Sequence, residues 1–174
     1  AITRPRDMAI KHFLDSLVPA ELIPDGSRLL DIGSGSGFPG IPLRIVKPSL
    51  SIHLIDGNRK KVHFLKHVIR TLGLDQSQAL HIRAENLHKN PDYVNFFDVI
   101  ISRALSNLKS FVKIARPLLA KQGLIVAMKG KVDQDELEML RSMVNTERYV
   151  LETKNYRLPL IQHRRSLITF RSLH

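Results

Sequence analysis

The sequence predicts an α/β fold, a mostly parallel sheet with helices on both faces that ends in antiparallel pairing. Three observations predict it. Short apolar runs alternate with segments of helical periodicity from one end of the chain to the other. The first apolar run empties into a glycine cluster (LLDIGSGSG), as a buried strand does where it meets a turn. The last two strand candidates are joined by a connection too short for a crossover helix, so they run antiparallel.

In chain order, residues 27–32 (SRLLDI) read as the first strand and 51–55 (SIHLI) as the second. Residues 58–72 follow as a helix, with Val62, Leu65, Ile69 and Leu72 at helical spacing and Gly73 as the stop. Residues 79–83 and 97–102 (FDVIIS) are the third and fourth strands. The segment 108–120 places Phe111, Val112, Ala115, Leu118 and Leu119 on one helical face, and Pro117 tightens or ends its last turn. Residues 124–128 (LIVAM) form the fifth strand. Residues 134–144 form an amphipathic helix that Asp133 caps, and 148–154 and 166–170 alternate as two final strands. A mostly parallel seven-stranded sheet with an antiparallel last strand is the class I methyltransferase variant of the Rossmann-like fold. With no internal repeat, linker or low-complexity tract, residues 1–174 read as one domain.

Composition bounds the function. Hydrophobic residues make up 43% of the chain and charged residues 25%, which is globular composition. No run approaches the roughly 18–20 apolar residues of a membrane span, and no signal-peptide pattern opens the chain, so a cytoplasmic protein is expected. The absence of cysteine excludes disulfides and thiolate metal sites. The eight histidines are scattered, and no metal is expected. Lys and Arg outnumber Asp and Glu by 27 to 16, a net charge of +11. That balance favours a polyanionic partner, RNA or DNA ahead of a membrane. The chain opens on Ala1 with sequence typical of a protein's interior, so a preceding segment is expected to be missing.

The glycine cluster is the main functional signal. Asp31 ends the first strand, and Gly33, Gly35 and Gly37 alternate after it, with Ser34 and Phe38 in the same turn. Alternating glycines allow positive φ and let a ligand approach without a Cβ in the way. The turn lies at the carboxyl ends of the strands, where ligands of open α/β sheets bind. Asp31 can face the ammonium of a methionine moiety, as in S-adenosylmethionine. The rival is a dinucleotide, because residues 35–40 match G-x-G-x-x-G. Three features count against it: the D-x-G-x-G-x-G frame, the acidic Asp31 that would oppose a pyrophosphate, and Pro39 and Pro42 in the turn. Asp56, at the end of the second strand, suits the ribose hydroxyls of either cofactor. Ala84 and Glu85, after the third strand, fall where this fold holds an adenine.

The acceptor side is read by elimination. The fourth strand ends at Ser102 and Arg103 without the Asn/Asp-Pro-Pro-aromatic motif that usually accompanies methylation of exocyclic amines, and carbon-5 methylation needs an absent cysteine. A ring nitrogen such as guanine N7 has a free lone pair and asks mainly for alignment. Arg103, Lys129 and Arg165 are the candidates on this side. Arg103 suits a carboxylate or phosphate, and Lys129 follows the fifth strand on the ligand edge. Arg164 and Arg165, in a cluster with His163 and Arg171, are candidate phosphate contacts, and Lys129 is a further candidate for RNA binding. The basic face of the 58–72 helix (Arg59, Lys60, Lys61, His63, Lys66, His67 and Arg70) reads as a solvated surface.

The run 31–43 (DIGSGSGFPGIPL), followed by LID at 54–56, RAE at 83–85 and ISRA at 101–104, closely resembles the bacterial glucose-inhibited division protein B family. The likeness extends to IKHFLDS at 10–16, AMKG at 127–130 and RSLI at 165–168, nearly the whole chain, and GFPGIP is the family's own signature. The resemblance implies a guanine-N7 methyltransferase of 16S ribosomal RNA that uses S-adenosylmethionine and acts on 16S rRNA or the small ribosomal subunit; a monomer without metal or membrane is expected. It implies cofactor contacts at Gly33, Phe38, Ala84, Glu85 and Arg103, and places His12, Asp15, Ser16, Lys129 and Arg165 near the RNA or the cleft. Two departures stand out: the family's helical N-terminal stretch before the part matching Ala1 is absent, and Gly57 replaces a more usual serine. Other readings stay open: a methyltransferase on another RNA or on protein, a cofactor-binding RNA-binding module without turnover, and an NAD-dependent dehydrogenase.

Overall fold

The computed structural model describes residues 9–103, 107–130, 132–145, 149–160 and 162–173. Residue 148, which the sequence reading places at the start of a strand, and Ala104 of the ISRA motif lie outside these residues. One sheet holds seven strands: β1 (Arg28–Ile32), β2 (Ser51–Asp56), β3 (Ser77–His81), β4 (Phe97–Ser102), β5 (Leu119–Lys129), β6 (Tyr149–Arg157) and β7 (Arg164–Ser172). Their spatial order is β3-β2-β1-β4-β5-β7-β6. The first five strands pair parallel, and β7 runs antiparallel to both β5 and β6.

The central strands are buried on both faces, which is why they read as unbroken apolar runs. Leu30, Ile32, Ile100, Ile125 and Ile168 belong to one core with Phe97, Phe111 and Leu118. Their alternates Leu29, Val99, Ile101, Val126 and Leu167 belong to the opposite core with Leu43, Val62 and Leu65. Among the described residues, five α-helices follow β1 and flank the sheet: α1 (Gly40–Val46), α2 (Arg59–Thr71), α3 (Ala84–Leu87), α4 (Leu108–Ala115) and α5 (Gln134–Asn145). Asn58 caps α2 by accepting from the amides of Lys60 and Lys61, and Asp133 Oδ1 accepts from the Asp135 amide at the start of α5. A short 3-10 turn, Arg116–Leu118, ends α4 where Pro117 stands. No helix among the described residues is long and apolar enough to cross a membrane.

Several elements differ from the sequence reading. β3 spans Ser77–His81, not 79–83, because its ladder with β2 begins at the Ile52–Ser77 pair and stops where β2 ends at Asp56. β5 begins at Leu119, which pairs with Phe97 before a register shift brings Leu124 opposite Val99; Gln122, at φ 58°, lies within the shift. The reading assigns no helix to 9–22, yet three short segments, Ala9–Leu14, Asp15–Leu17 and Val18–Leu22, follow one another there. Pro19 enters only the last of them, a 3-10 turn.

Phe97 is fully buried, stacked on Tyr93 and edge-on to His53 and Phe96. Phe97→Ala is expected to destabilise the fold by about 3–5 kcal/mol, measured as a lowered urea midpoint with an unchanged slope.

Candidate functional site

The site is built where β1 meets α1. Asp31, one residue before the end of β1, has no exposed surface, and its Oδ2 accepts the Gly40 amide at 2.9 Å. The strand end is thereby tied to the first turn of the helix. Close approach makes glycine necessary at position 40, since a Cβ there would fall 2.4 Å from Leu54 Cδ2 and 2.9 Å from Asp31 Oδ2. Between the two anchors, Gly33, Gly35 and Gly37 all take positive φ. A Cβ on Gly33 would meet nothing within 4 Å, so the backbone there borders open space.

Asp31 Oδ1 is buried and has no hydrogen-bond partner. Burial pushes this carboxyl up to about 7, assisted by the nearby Asp56 charge and opposed by the Gly40 amide and Arg103. A buried acceptor without a partner is costly, so Oδ1 is suited to a cationic donor. Ser34, a candidate contact in the sequence, instead builds the loop. Its hydroxyl donates to Asp31 O, its amide to Ile55 O, and its carbonyl accepts from Gly37 and Phe38. Its hydroxyl proton and its amide are thereby committed to the loop, which leaves the hydroxyl oxygen as an acceptor.

Asp56 is held in place by the Gly35 amide at 3.1 Å and the Asn58 amide at 2.8 Å, with Lys61 Nζ at 3.6 Å. It lines an open cleft of about 300 Å³ together with Gly33, Gly57, Arg83, Ala84 and Glu85. The ribose and adenine candidates are therefore brought together beside the glycine turn. A Cβ on Gly57 would lie 3.6 Å from Arg83 Cγ, an ordinary contact, so a serine would fit there as well.

A second cleft, of about 260 Å³, is bounded by Lys11, His12, Asp15, Arg103, Lys129 and Arg165. All three acceptor-side candidates meet here. The organising group is Asp15, which is 1% exposed. Its Oδ1 accepts from Tyr156 Oη at 2.7 Å, and its Oδ2 faces Arg165 Nε at 3.5 Å and Arg103 at 4.0 Å. Arg165 Nε is buried without hydrogen-bond geometry to any partner, so its attraction to Asp15 is one of charge alone. Arg103 donates to the Lys11 carbonyl at 3.3 Å, lies 3.0 Å from His12 Nδ1, and sits 5.3 Å above the Phe38 ring. Burial lowers the pKa of Arg103 and of His12, and their mutual repulsion adds to it for His12. Phe38 also stacks on His12 and meets Phe13 edge-on, so it joins the glycine turn to the N-terminal helical stretch.

Lys129 is not an ordinary solvated lysine. Its Nζ donates to Glu136 Oε2 at 2.6 Å, while Glu136 Oε1 accepts the Leu108 amide at the start of α4. Arg164 is exposed on β7, outside this cleft. Tyr156 and Glu136 are participants the sequence reading misses, for neither stands in a motif. His63 and His67 stand four apart on α2, a ligand-like spacing not recognised in the sequence, yet no group of three potential metal ligands gathers among the described residues.

A family model described as rRNA small subunit methyltransferase G matches residues 1–167. A protein of Geotalea uraniireducens named ribosomal RNA small subunit methyltransferase G is 40% identical over 169 residues, 97% of this chain and 76% of that protein. One of the same name from Geobacter sp. (strain M21) is 42% identical, over 97% of this chain and 77% of its own. Among solved structures, an S-adenosylmethionine-dependent methyltransferase of Aquifex aeolicus superposes with a TM-score of 0.70 at 15% identity, over 96% and 93% of the two chains. An rRNA methylase of Streptococcus thermophilus does so with 0.63 at 20% identity, over 100% and 99%. At those identities the structural likeness speaks for the fold.

The raised pKa of Asp31 has a definite sign in stability. Between its ordinary value of 3.8 and about 7 the folded state holds the proton and the unfolded state does not. The contribution of Asp31 therefore declines as pH rises through that window. His53, lowered by burial to about 4, acts in the opposite sense between 4 and 6.5. The difference between wild type and Asp31→Asn isolates the carboxyl. In denaturant titrations of the ligand-free protein, the variant's advantage is expected to grow from pH 4 to pH 7; a constant difference would refute the assignment.

Proposed function

The chain belongs to the rRNA small subunit methyltransferase G family, and from that premise we propose that it transfers a methyl group from S-adenosylmethionine to N7 of a guanine in 16S ribosomal RNA. The observation that carries the cofactor half is the partnerless oxygen of Asp31, buried beneath the glycine turn. An ammonium placed there, directly or through one water, supplies the missing donor and favours the ionised carboxylate. Asp56 takes the ribose hydroxyls, and the wall at Ala84 and Glu85 takes the adenine. Gly33 and Gly35 leave room for the ligand's approach, and Phe38 covers the Arg103 side of the turn. A pyrophosphate at this position would face the Asp31 and Asp56 carboxylates together, which disfavours a dinucleotide.

S-adenosylmethionine supplies a methyl carbon on a sulfonium, and guanine N7 attacks it with a lone pair that is already free, so no proton has to leave. The chain's task is alignment and charge. Methylation at N7 leaves the base cationic, so bare positive charge against the ring would oppose the step. In the second cleft the cations are offset in part: Asp15 faces both Arg103 and Arg165, and Glu136 holds Lys129. Arg103 and Arg165 therefore serve carboxylate or phosphate oxygens, and Asp15 positions both.

Two measurements test this reading. Asp31→Asn is expected to weaken S-adenosylhomocysteine binding roughly tenfold to a hundredfold in calorimetry, the range for losing a charge-assisted hydrogen bond. NAD binding tighter than S-adenosylhomocysteine would overturn the cofactor. Tritiated methyl transfer to small subunits and rRNA from a strain lacking the gene is expected to yield 7-methylguanosine on nuclease digestion. Label in another nucleoside or in protein would move the acceptor, and cofactor binding without turnover would favour a binding module.

A further inference from the structure

A third cavity, of about 480 Å³ and larger than either cleft above, opens between the β6–β7 hairpin and the start of α5. Gln134, Thr153, Asn155, Arg157, Arg164 and Arg165 line it, and no acidic residue does among the described residues. Gly130 and Arg165 border both this cavity and the acceptor-side cleft, so the two are neighbours.

Arg157 and Arg164 stand directly opposite each other in the antiparallel ladder. Opposed residues share a face of the sheet, roughly 5 Å apart at Cβ, where like charges repel. Neither arginine has an ion-pair partner among the described residues. The pair is therefore uncompensated, and an anion between the two guanidinium groups would relieve it. Thr153 and Asn155 project to the same face of β6 as Arg157. Asn155 Oδ1 accepts from the Ser166 hydroxyl at 2.8 Å, so what its side chain can offer a ligand is the amide NH2 donor. Two forks and neutral donors around a cavity of this size match the phosphate and sugar of one nucleotide.

We propose that this cavity is a second RNA subsite, which takes the phosphate and sugar of a nucleotide near the acceptor, with Arg157 and Arg164 clamping the phosphate. It rests on the reading of the acceptor as RNA. The subsite adds affinity and register without reading the base. It also gives the hairpin a task that the fold alone does not require.

The test compares wild type, Arg157→Gln, the Arg157→Gln/Arg164→Gln double variant and Lys66→Gln, which removes from α2 the same single charge as Arg157→Gln. Binding of a fluorescein-labelled single-stranded RNA oligonucleotide is followed by anisotropy over a series of salt concentrations. The double variant is expected to bind about tenfold more weakly, with the slope of log affinity against log salt reduced by about one. The KM for rRNA should rise by the same factor, with kcat and S-adenosylhomocysteine affinity unchanged. Removing a repelling pair should leave the melting temperature level or higher, whereas a structural role would lower it. Variants that bind RNA no more weakly than Lys66→Gln would overturn the subsite while methyl transfer stands. A wild-type protein that binds RNA through these arginines yet methylates no rRNA would sink the proposed activity and leave the subsite standing.

Discussion

The contact on which the site depends is the one between the Asp31 carboxylate and the Gly40 amide. It joins the end of the central strand β1 to the start of α1 across the seven residues 33–39, and so determines the shape of that turn. The contact requires a side chain short enough to stay beneath the loop and a residue at 40 without a Cβ. It also commits one carboxylate oxygen and leaves the other buried and alone. A fold shaped only for stability would satisfy or remove that second oxygen. Here the cost stands beside an open cleft, and the burial that creates it also fixes its direction.

A second buried carboxylate organises the other half of the site. Asp15 comes from the N-terminal helical stretch, Arg103 from the end of β4, Tyr156 from β6 and Arg165 from β7. Elements distant in sequence thus converge on one charge. Burial and the hydrogen bond to Asp15 push the Tyr156 phenol well up, so it stays a donor throughout the working range. With Phe38 stacked on His12 and facing Arg103, the two halves meet through an aromatic and cationic seam. The chain's excess of positive charge is in this way offset in part where a base would sit, and left unmatched further out on the hairpin.

How far the sequence disclosed this follows from the range of each interaction. The buried strands are legible because two-sided burial leaves continuous apolar runs, and the turn is legible because positive φ selects glycine at alternate positions. Asp31, Asp56, Ala84 and Glu85 follow from those landmarks, since the strand order places them at one edge. β3 is misplaced by two residues because it is an edge strand with only Ala79 buried, so pairing with β2 sets its ends. The N-terminal stretch escapes because its three segments change helix type, and no single period marks a face. Ser34 reads like its neighbours in the turn, and only its hydrogen bonds show it turned inward. The Asp15–Tyr156 bond spans 141 residues and leaves no local pattern at all.

The distribution of matched and unmatched charge also separates binding from chemistry. An arginine compensated by a buried carboxylate keeps its fork geometry while its field is reduced, so it can orient an oxyanion without repelling a nearby cation. An arginine opposed by another arginine does the reverse, since its field is reinforced and favours whichever anion arrives. Methyl transfer to a neutral ring nitrogen makes a cation from a neutral base, so the chemistry needs the first arrangement and phosphate capture needs the second. The cleft at Asp15 has the first and the Arg157–Arg164 pair has the second, with Arg165 bordering both. The division of labour between them follows from where the carboxylates are placed.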